Sequence, residues 1–203
     1  MIYRAENINA EKFSSDLYIE AYTSMSEERK QKASRLVKEK DKRLCVFSDY
    51  LLREMLKAEG VNNPQFCIDS KGKPYLKNSN LHFSISHSEN FIACAVDIRP
   101  IGIDIEAYRN IPETLINRVC TEDEIKYIFQ SSSNLDEENC IKRFFSLWTA
   151  KEAYLKCIGE GLSGGMKHTI VATKEELIKN ISPYHKLTNI INDKYSLSVV
   201  ESL

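Results

Sequence analysis

The strongest constraint on how this 203-residue chain folds is the apolar pattern between positions 141 and 158. Apolar residues recur there at helical spacing: Ile141, Phe144, Phe145, Trp148, Leu155 and Ile158. The same spacing predicts an apolar residue at position 152, where the chain has Glu152. A carboxylate on a core-facing stripe needs a partner or a changed protonation state. Lys156 lies one turn further on the same side, so the two residues are either an ordinary helical ion pair or part of a chemical site.

A second pattern places two carboxylates together on a strand. Three isoleucines (Ile101, Ile103 and Ile105) alternate with Gly102, Asp104 and Glu106, which predicts a strand with Asp104 and Glu106 on one face. Two adjacent carboxylates repel each other unless a cation lies between them, and oxygen-only ligands suit Mg²⁺ or Mn²⁺ better than zinc. A metal shared with these two residues would give Glu152 the partner that it needs. The alternative is an edge strand with a solvated acidic face.

The rest of the chain mixes strands and helices. Alternation predicts a half-buried strand over 81–85, and an apolar run predicts a buried strand over 91–97. Further elements are a helix over 26–59, a capping-box helix from Thr121, a strand at 168–172, a short helix at 174–180 and a hairpin over 186–200. Arg99-Pro100 divides the chain into two halves, each of which mixes helices with strands. We therefore expect a mixed α+β (α/β) fold in two parts, 1–99 and 100–203.

Three other features carry polar groups that suit phosphate. Ser86-His87-Ser88 follows the strand predicted over 81–85 and offers hydroxyls, an imidazole and backbone N–H groups to a phosphate. The alternative is that His87 is structural, as a lone histidine more often is. Lys73 lies in a tight loop between Gly72 and Pro74. A dense basic segment at 29–43 is either a solvated helix face or a contact for a phosphorylated ligand or an acidic protein.

Composition excludes several classes of protein. The net charge of −1 gives no overall positive field for nucleic acid. The apolar runs are short and interrupted by charge, so we expect no membrane span, and residues 1–10 do not have the pattern of a signal peptide. None of the six cysteines forms a C-x-x-C pair, which disfavours a zinc or thioredoxin-like site. Several lie in apolar stretches, where cysteine acts as a small hydrophobic residue, and this indicates a reducing, cytoplasmic protein.

Taken together, these segments resemble the Sfp-type phosphopantetheinyl transferases. The match is carried by Gly72-Lys73-Pro74-Tyr75, Phe83-Ser84-Ile85-Ser86-His87-Ser88, Ile101-Gly102-Ile103-Asp104-Ile105-Glu106, and Trp148-Thr149-Ala150-Lys151-Glu152-Ala153-Tyr154-Leu155-Lys156, followed by Gly161-Leu162-Ser163. Their order and spacing also agree with the family. A W-x-x-K-E-x-x-x-K helix after a G-I-D-I-E strand is a highly specific combination.

The resemblance implies two similar, pseudo-symmetric halves with coenzyme A in the cleft between them. By analogy Asp104, Glu106 and Glu152 hold Mg²⁺, Mn²⁺ being possible. Ser86 and His87 contact phosphates, Lys73 the adenosine end, and Lys38 and Arg43 the 3′-phosphate. Glu152 would accept the proton of the carrier serine, and Lys156 would stabilise the leaving phosphate.

The same resemblance implies a monomeric enzyme that modifies an apo acyl or peptidyl carrier protein. Two alternatives stay open at this point: a Mg²⁺-dependent nucleotide hydrolase, and a coenzyme A or carrier-protein binding module without catalysis. The hydrolase leaves the basic helix and the Ser-His-Ser segment without a role, and no P-loop pattern is present.

Overall fold

A computed structural model describes residues 1–130, 134–135, 137–160 and 165–203. The Gly161-Leu162-Ser163 segment and part of the polar loop after Gln130 lie outside the described residues. The described helices are α1 (Ser15–Ser24), α2 (Glu27–Ser34), α3 (Glu39–Ala58), α4 (Glu113–Val119), α5 (Glu122–Phe129) and α6 (Glu138–Ile158). The described strands are β1 (Ile2–Asn7), β2 (Phe66–Ile68), β3 (Pro74–Leu76), β4 (His82–Ser88), β5 (Phe91–Asp97), β6 (Ile101–Ala107), β7 (Asn180–Ser182), β8 (His185–Ile191) and β9 (Tyr195–Ser202).

Each half of the chain is an antiparallel sheet with one long helix packed on it. The first sheet has the order β1-β5-β4, and Phe47 and Leu52 on the apolar face of α3 share a core with Ile92 of β5. The short β2–β3 hairpin stands beside this sheet. The second sheet has the order β6-β9-β8-β7, and α6 covers one of its faces. The expected α+β fold in two halves is confirmed.

The isoleucine face of β6 joins the two halves. Ile101, Ile103 and Ile105 are fully buried in a core that also contains Ala93 and Ala95 of β5. The opposite face of β6 lies directly against α6. A Cβ atom on Gly102 would come within 1.9 Å of the Ala153 carbonyl oxygen, so only glycine permits this approach. Asp104 and Glu106, on the same face as Gly102, are thereby directed toward the helix.

Some predicted elements differ from the structure. The single helix expected over 26–59 is two helices, because residues 35–38 are non-helical and Val37 is almost fully exposed. The strand expected at 168–172 is instead a 3₁₀ turn over Met166–His168, followed by one isolated bridge. No helix forms at 174–180, because the Thr173 hydroxyl accepts bonds from the Glu175 and Glu176 amides and fixes a turn. The strand β1 and the helix α1 were not predicted.

Candidate active site

Asp104 is buried and bound by two side chains, one from β4 and one from α6. Its Oδ1 atom accepts a hydrogen bond of 2.7 Å from the Ser86 hydroxyl of β4 and another of 2.7 Å from the Lys156 ammonium of α6. Lys156 also donates to the Ile103 carbonyl at 3.2 Å. Burial raises the pKa of Asp104, and the adjacent Lys156 acts against that rise. The structure therefore brings together Ser86, Asp104 and Lys156, which the sequence predicted separately.

Glu106 is held in a similar way, two residues along the same strand. Its Oε2 atom accepts a bond of 2.7 Å from the Ser88 hydroxyl and one of 2.6 Å from Arg109. The Arg109 guanidinium also lies 5.1 Å from the centre of the Phe145 ring on α6. Neither Ser88 nor Arg109 was predicted as a site residue, although Ser88 belongs to the segment that the sequence singled out.

Glu152 is buried on the apolar stripe, as its position predicted, with a relative exposure of 8%. Its Oε1 atom has no hydrogen-bond partner. Burial is the largest cause that raises the pKa of Glu152 to about 7, and the negative charge of Asp104 adds to it. A carboxyl group with this pKa is partly protonated near neutral pH, so it can both accept and release a proton there.

The donor set fits a divalent cation that prefers oxygen. Asp104, Glu106 and Glu152 offer carboxylate oxygens, and two of these atoms, Asp104 Oδ2 and Glu152 Oε1, are buried without a partner. As they stand in the described part of the chain, no three or more His, Cys, Asp or Glu side chains are arranged to hold a metal ion. The positive charges of Lys156 and Arg109 instead compensate the two strand carboxylates.

A groove of about 650 Å³ runs from the first half of the chain to Lys156. Its positive lining consists of Arg29, Lys32, Lys71, Lys73 and Lys156, with His87 on the wall. Desolvation in the groove lowers the pKa of His87, and the charges of Lys156 and Lys32 act in the same direction. The groove is suited to an anionic ligand of several phosphates.

Lys73 lies at the end of the groove that adjoins α6. Its ammonium group donates a hydrogen bond of 2.9 Å to the Cys157 carbonyl, in the last turn of that helix. Partial burial lowers the pKa of Lys73. A residue of the first half thus contacts the end of the helix that carries Glu152 and Lys156.

Lys38 and Arg43 are not among the residues that line the groove. Arg43 donates to the carbonyls of Ile8 and Phe13, at 3.3 and 3.0 Å, and its guanidinium lies over the Phe47 ring. Lys38 is exposed at the start of α3. Arg29 and Lys32 reach the groove instead, since three-residue spacing puts them on one face of α2.

Lys151, next to Glu152, has a structural environment. Its ammonium group is fully buried and donates to Glu124 Oε2 at 2.7 Å and to the carbonyls of Val119 and Met166 at 3.0 and 2.9 Å. All three ammonium hydrogens therefore have an acceptor. The Lys151–Glu124 ion pair fixes α6 against α5, and sequence reasoning did not identify it.

Both halves of the chain are similar in sequence to known proteins. A family model described as the 4′-phosphopantetheinyl transferase superfamily matches residues 100–200, and one described as 4′-phosphopantetheinyl transferase, N-terminal, matches residues 12–99. A 4′-phosphopantetheinyl transferase of Bacillus subtilis is 31% identical over 186 residues, which cover 87% of this chain and 81% of the relative.

In other relatives the match covers less than two thirds of the relative's own length. The transferase gsp of Aneurinibacillus migulanus is 33% identical over 69% of this chain, but the match spans only 58% of gsp. Sfp of Bacillus subtilis strain 168 is 29% identical over 68% of this chain and 62% of Sfp. The match to the B. subtilis relative extends through both halves. With the two family models, it shows that this chain belongs to the Sfp-type 4′-phosphopantetheinyl transferase superfamily.

Proposed function

We propose that this protein transfers the 4′-phosphopantetheine group of coenzyme A to a serine of an apo acyl or peptidyl carrier protein. The observation that carries the proposal is the buried Glu152, with its unpartnered Oε1 atom and raised pKa, one helical turn from Lys156, which lines the positively charged groove. Membership of the family supports the same conclusion. The products are the holo carrier and adenosine 3′,5′-bisphosphate.

In the proposed reaction, the carrier serine oxygen attacks the β-phosphorus of coenzyme A. The new P–O bond replaces the bond to the bridging oxygen, which leaves on adenosine 3′,5′-bisphosphate. Glu152 accepts the serine proton, because its buried Oε1 atom has no hydrogen-bond partner that competes for this role. Lys156 moves from Asp104 to the leaving phosphate and stabilises its charge.

Asp104, Glu106 and Glu152 are the residues that we propose to hold Mg²⁺ or Mn²⁺, whose chemistry is to neutralise charge on the diphosphate. His87 and Lys73 are proposed as phosphate and adenosine contacts. A direct phosphate contact of Ser86 stays a prediction, since its proton is directed at Asp104 here. The division into halves 1–99 and 100–203 also stays a prediction, the first supplying coenzyme A contacts and the second the carboxylates.

The proposal also covers the compartment and the oligomeric state of the protein. In the described part of the chain no helix is long and apolar enough to cross a membrane, and the six cysteines are free thiols. We propose a cytoplasmic monomer, because one chain builds the whole groove, without a nucleic-acid or membrane partner.

The test is to incubate the protein with coenzyme A, Mg²⁺ and a panel of apo carriers, and to weigh the carriers by intact mass spectrometry. Transfer adds one phosphopantetheine to a carrier. Breakdown of coenzyme A without a modified carrier would indicate a hydrolase, and an unchanged mixture would indicate a binding module. Full transfer after exhaustive chelation would refute the metal assignment alone.

The 3′-phosphate contact needs a separate test, because sequence and groove point to different residues. Comparing coenzyme A with 3′-dephospho-coenzyme A measures what this phosphate contributes to KM. We expect Lys32→Ala to raise the KM for coenzyme A about 10-fold and to reduce that contribution. If Lys38→Ala or Arg43→Ala has this effect and Lys32→Ala does not, the sequence assignment is right and the groove assignment is wrong.

A further inference from the structure

Three serines on β4 connect the two halves at the active site. Ser84, Ser86 and Ser88 alternate along β4 and all contact β6, although the two strands belong to different sheets. Ser84 Oγ accepts from the Ile103 amide at 3.0 Å, and no contact with a carboxylate is seen for it among the described residues. Ser86 donates to Asp104, as described above. The three side chains are all buried.

Ser88 has a more specific pair of bonds. Its oxygen accepts a hydrogen bond of 3.1 Å from the Ala107 amide, and it donates one of 2.7 Å to Glu106 Oε2. A hydroxyl group has one proton, so accepting from the amide fixes the direction in which that proton is donated. The Ser88 proton is therefore directed at Glu106.

Of the two partners of Glu106, Ser88 is the buried one. Arg109 binds the same Oε2 atom, yet its side chain is half exposed, whereas that of Ser88 is buried. Without Ser88, the Glu106 carboxylate would be oriented by a long, exposed arginine alone. Hydrogen bonds to metal-binding carboxylates set their orientation and raise metal affinity in proteins.

We propose that Ser88 is a positioning residue, which orients Glu106 toward a divalent cation without touching the substrate. This inference rests on the proposed function, because it takes Glu106 as a metal ligand. Ser84 supplies a matched control. It lies on the same face of β4 and accepts a bond from a β6 amide in the same way, but it lacks the bond to a carboxylate.

The experiment titrates Mn²⁺ into wild-type protein, Ser88→Ala and Ser84→Ala with coenzyme A present and no carrier, so that no turnover occurs. The electron paramagnetic resonance signal of free Mn²⁺ gives the Kd. We expect Ser88→Ala to raise this Kd about 10-fold and Ser84→Ala to leave it within about 2-fold of wild type. Both variants lose one amide contact, so their unfolding in urea without metal should be similar.

A second readout is the Mg²⁺ dependence of transfer. Ser88→Ala should need about 10-fold more Mg²⁺ for half-maximal activity but recover most of the wild-type kcat when saturated, because the ligand itself remains. Ser88→Cys keeps a weak donor of similar size, and its Kd should fall between those of wild type and Ser88→Ala.

The outcomes separate this inference from the proposed function. If wild type transfers and binds Mn²⁺ while Ser88→Ala and Ser84→Ala have equal Kd values, Ser88 is only a structural link and the inference is overturned. If the expected Kd differences appear but no carrier is modified, the role of Ser88 stands and the proposed reaction fails. If wild-type protein does not bind Mn²⁺, the metal role of Glu106 and the inference both fall.

Discussion

The two long helices each bury an acidic residue against their own sheet, with opposite outcomes for that residue. On α3, Asp49 is 2% exposed and has two cationic partners, Arg29 at 3.2 Å and Arg53 at 2.6 Å. On α6, Glu152 is 8% exposed, and its Oε1 atom has no partner. The charge of Asp49 is compensated by two arginines, whereas Glu152 lies close to two further carboxylates, Asp104 and Glu106.

The difference is the one expected between a structural charge and the functional charge that we propose for Glu152. A buried charge with good partners helps to fix a fold, whereas an uncompensated one costs free energy and persists where a ligand or a reaction uses it. Lys151, one residue before Glu152, is a buried charge of the first kind, with an acceptor for each hydrogen. The same acid-to-amide substitution on the two helices should therefore give opposite results.

The largest effect is expected from Glu152→Gln, which keeps the volume and removes the charge. We expect transfer to fall by at least ~10²-fold, because the variant lacks the proposed base and one metal ligand. A quench-flow measurement of holo-carrier formation gives the rate, and Glu138→Gln, at the exposed start of the same helix, is the control. Near-normal transfer by a folded Glu152→Gln protein would make Glu152 a structural residue.

A smaller effect, on stability, is expected from Asp49→Asn. This change leaves the guanidinium groups of Arg29 and Arg53 without their anion, so the free energy of unfolding should fall by about 1–3 kcal/mol. Urea denaturation measures it, and Asp123→Asn, at an exposed ion pair, should change stability by no more than about 0.5 kcal/mol. Equal stability of Asp49→Asn and wild type would remove the contrast between the helices.

Short-range periodicity explains which parts of the site could be predicted. A period of two put Asp104 and Glu106 on one face of a strand, and helical spacing put Glu152 and Lys156 on one side of α6. Both patterns act within a single element, so they need no knowledge of how elements pack. For Glu152 the chemistry followed from a carboxylate at a position that the pattern predicts to be covered, whereas for Asp104 and Glu106 the pattern also allowed a solvated acidic face.

The missed residues depend on contacts between elements. Ser88 matters because β4 lies beside β6, although backbone pairing gives the two strands to different sheets. Lys151 finds its acceptors at Val119, Glu124 and Met166, which no local pattern connects. Arg29 and Lys32 belong to the basic segment that the sequence singled out, but the break at 35–38 and the packing of α2 decide that they line the groove rather than Lys38 and Arg43. Tertiary packing decides each of these.

The last expected effect, no larger than that of Asp49→Asn, is a difference in how stability depends on pH. The pKa of Glu152 is raised from its ordinary value of 4.5 to about 7, mainly by burial and then by Asp104, while Lys156 opposes the rise and Glu106 adds to it. Between these two values the folded protein holds a proton that the unfolded chain has already released. Raising the pH through this window therefore lowers the stability of wild type.

Glu152→Gln has no such proton, so its stability should lack this part of the pH dependence. We expect the free energies of unfolding of the two proteins, measured in urea without metal or coenzyme A, to be similar at pH 5. The variant should become the more stable by about 1–3 kcal/mol at pH 8. Taking the difference between the proteins removes the titration of groups that they share, such as His87 and His185. A difference that stays flat from pH 5 to pH 8 would mean that Glu152 is already ionised at the lower pH. Its burial would then be compensated like that of Asp49, and the contrast between the two helices would disappear.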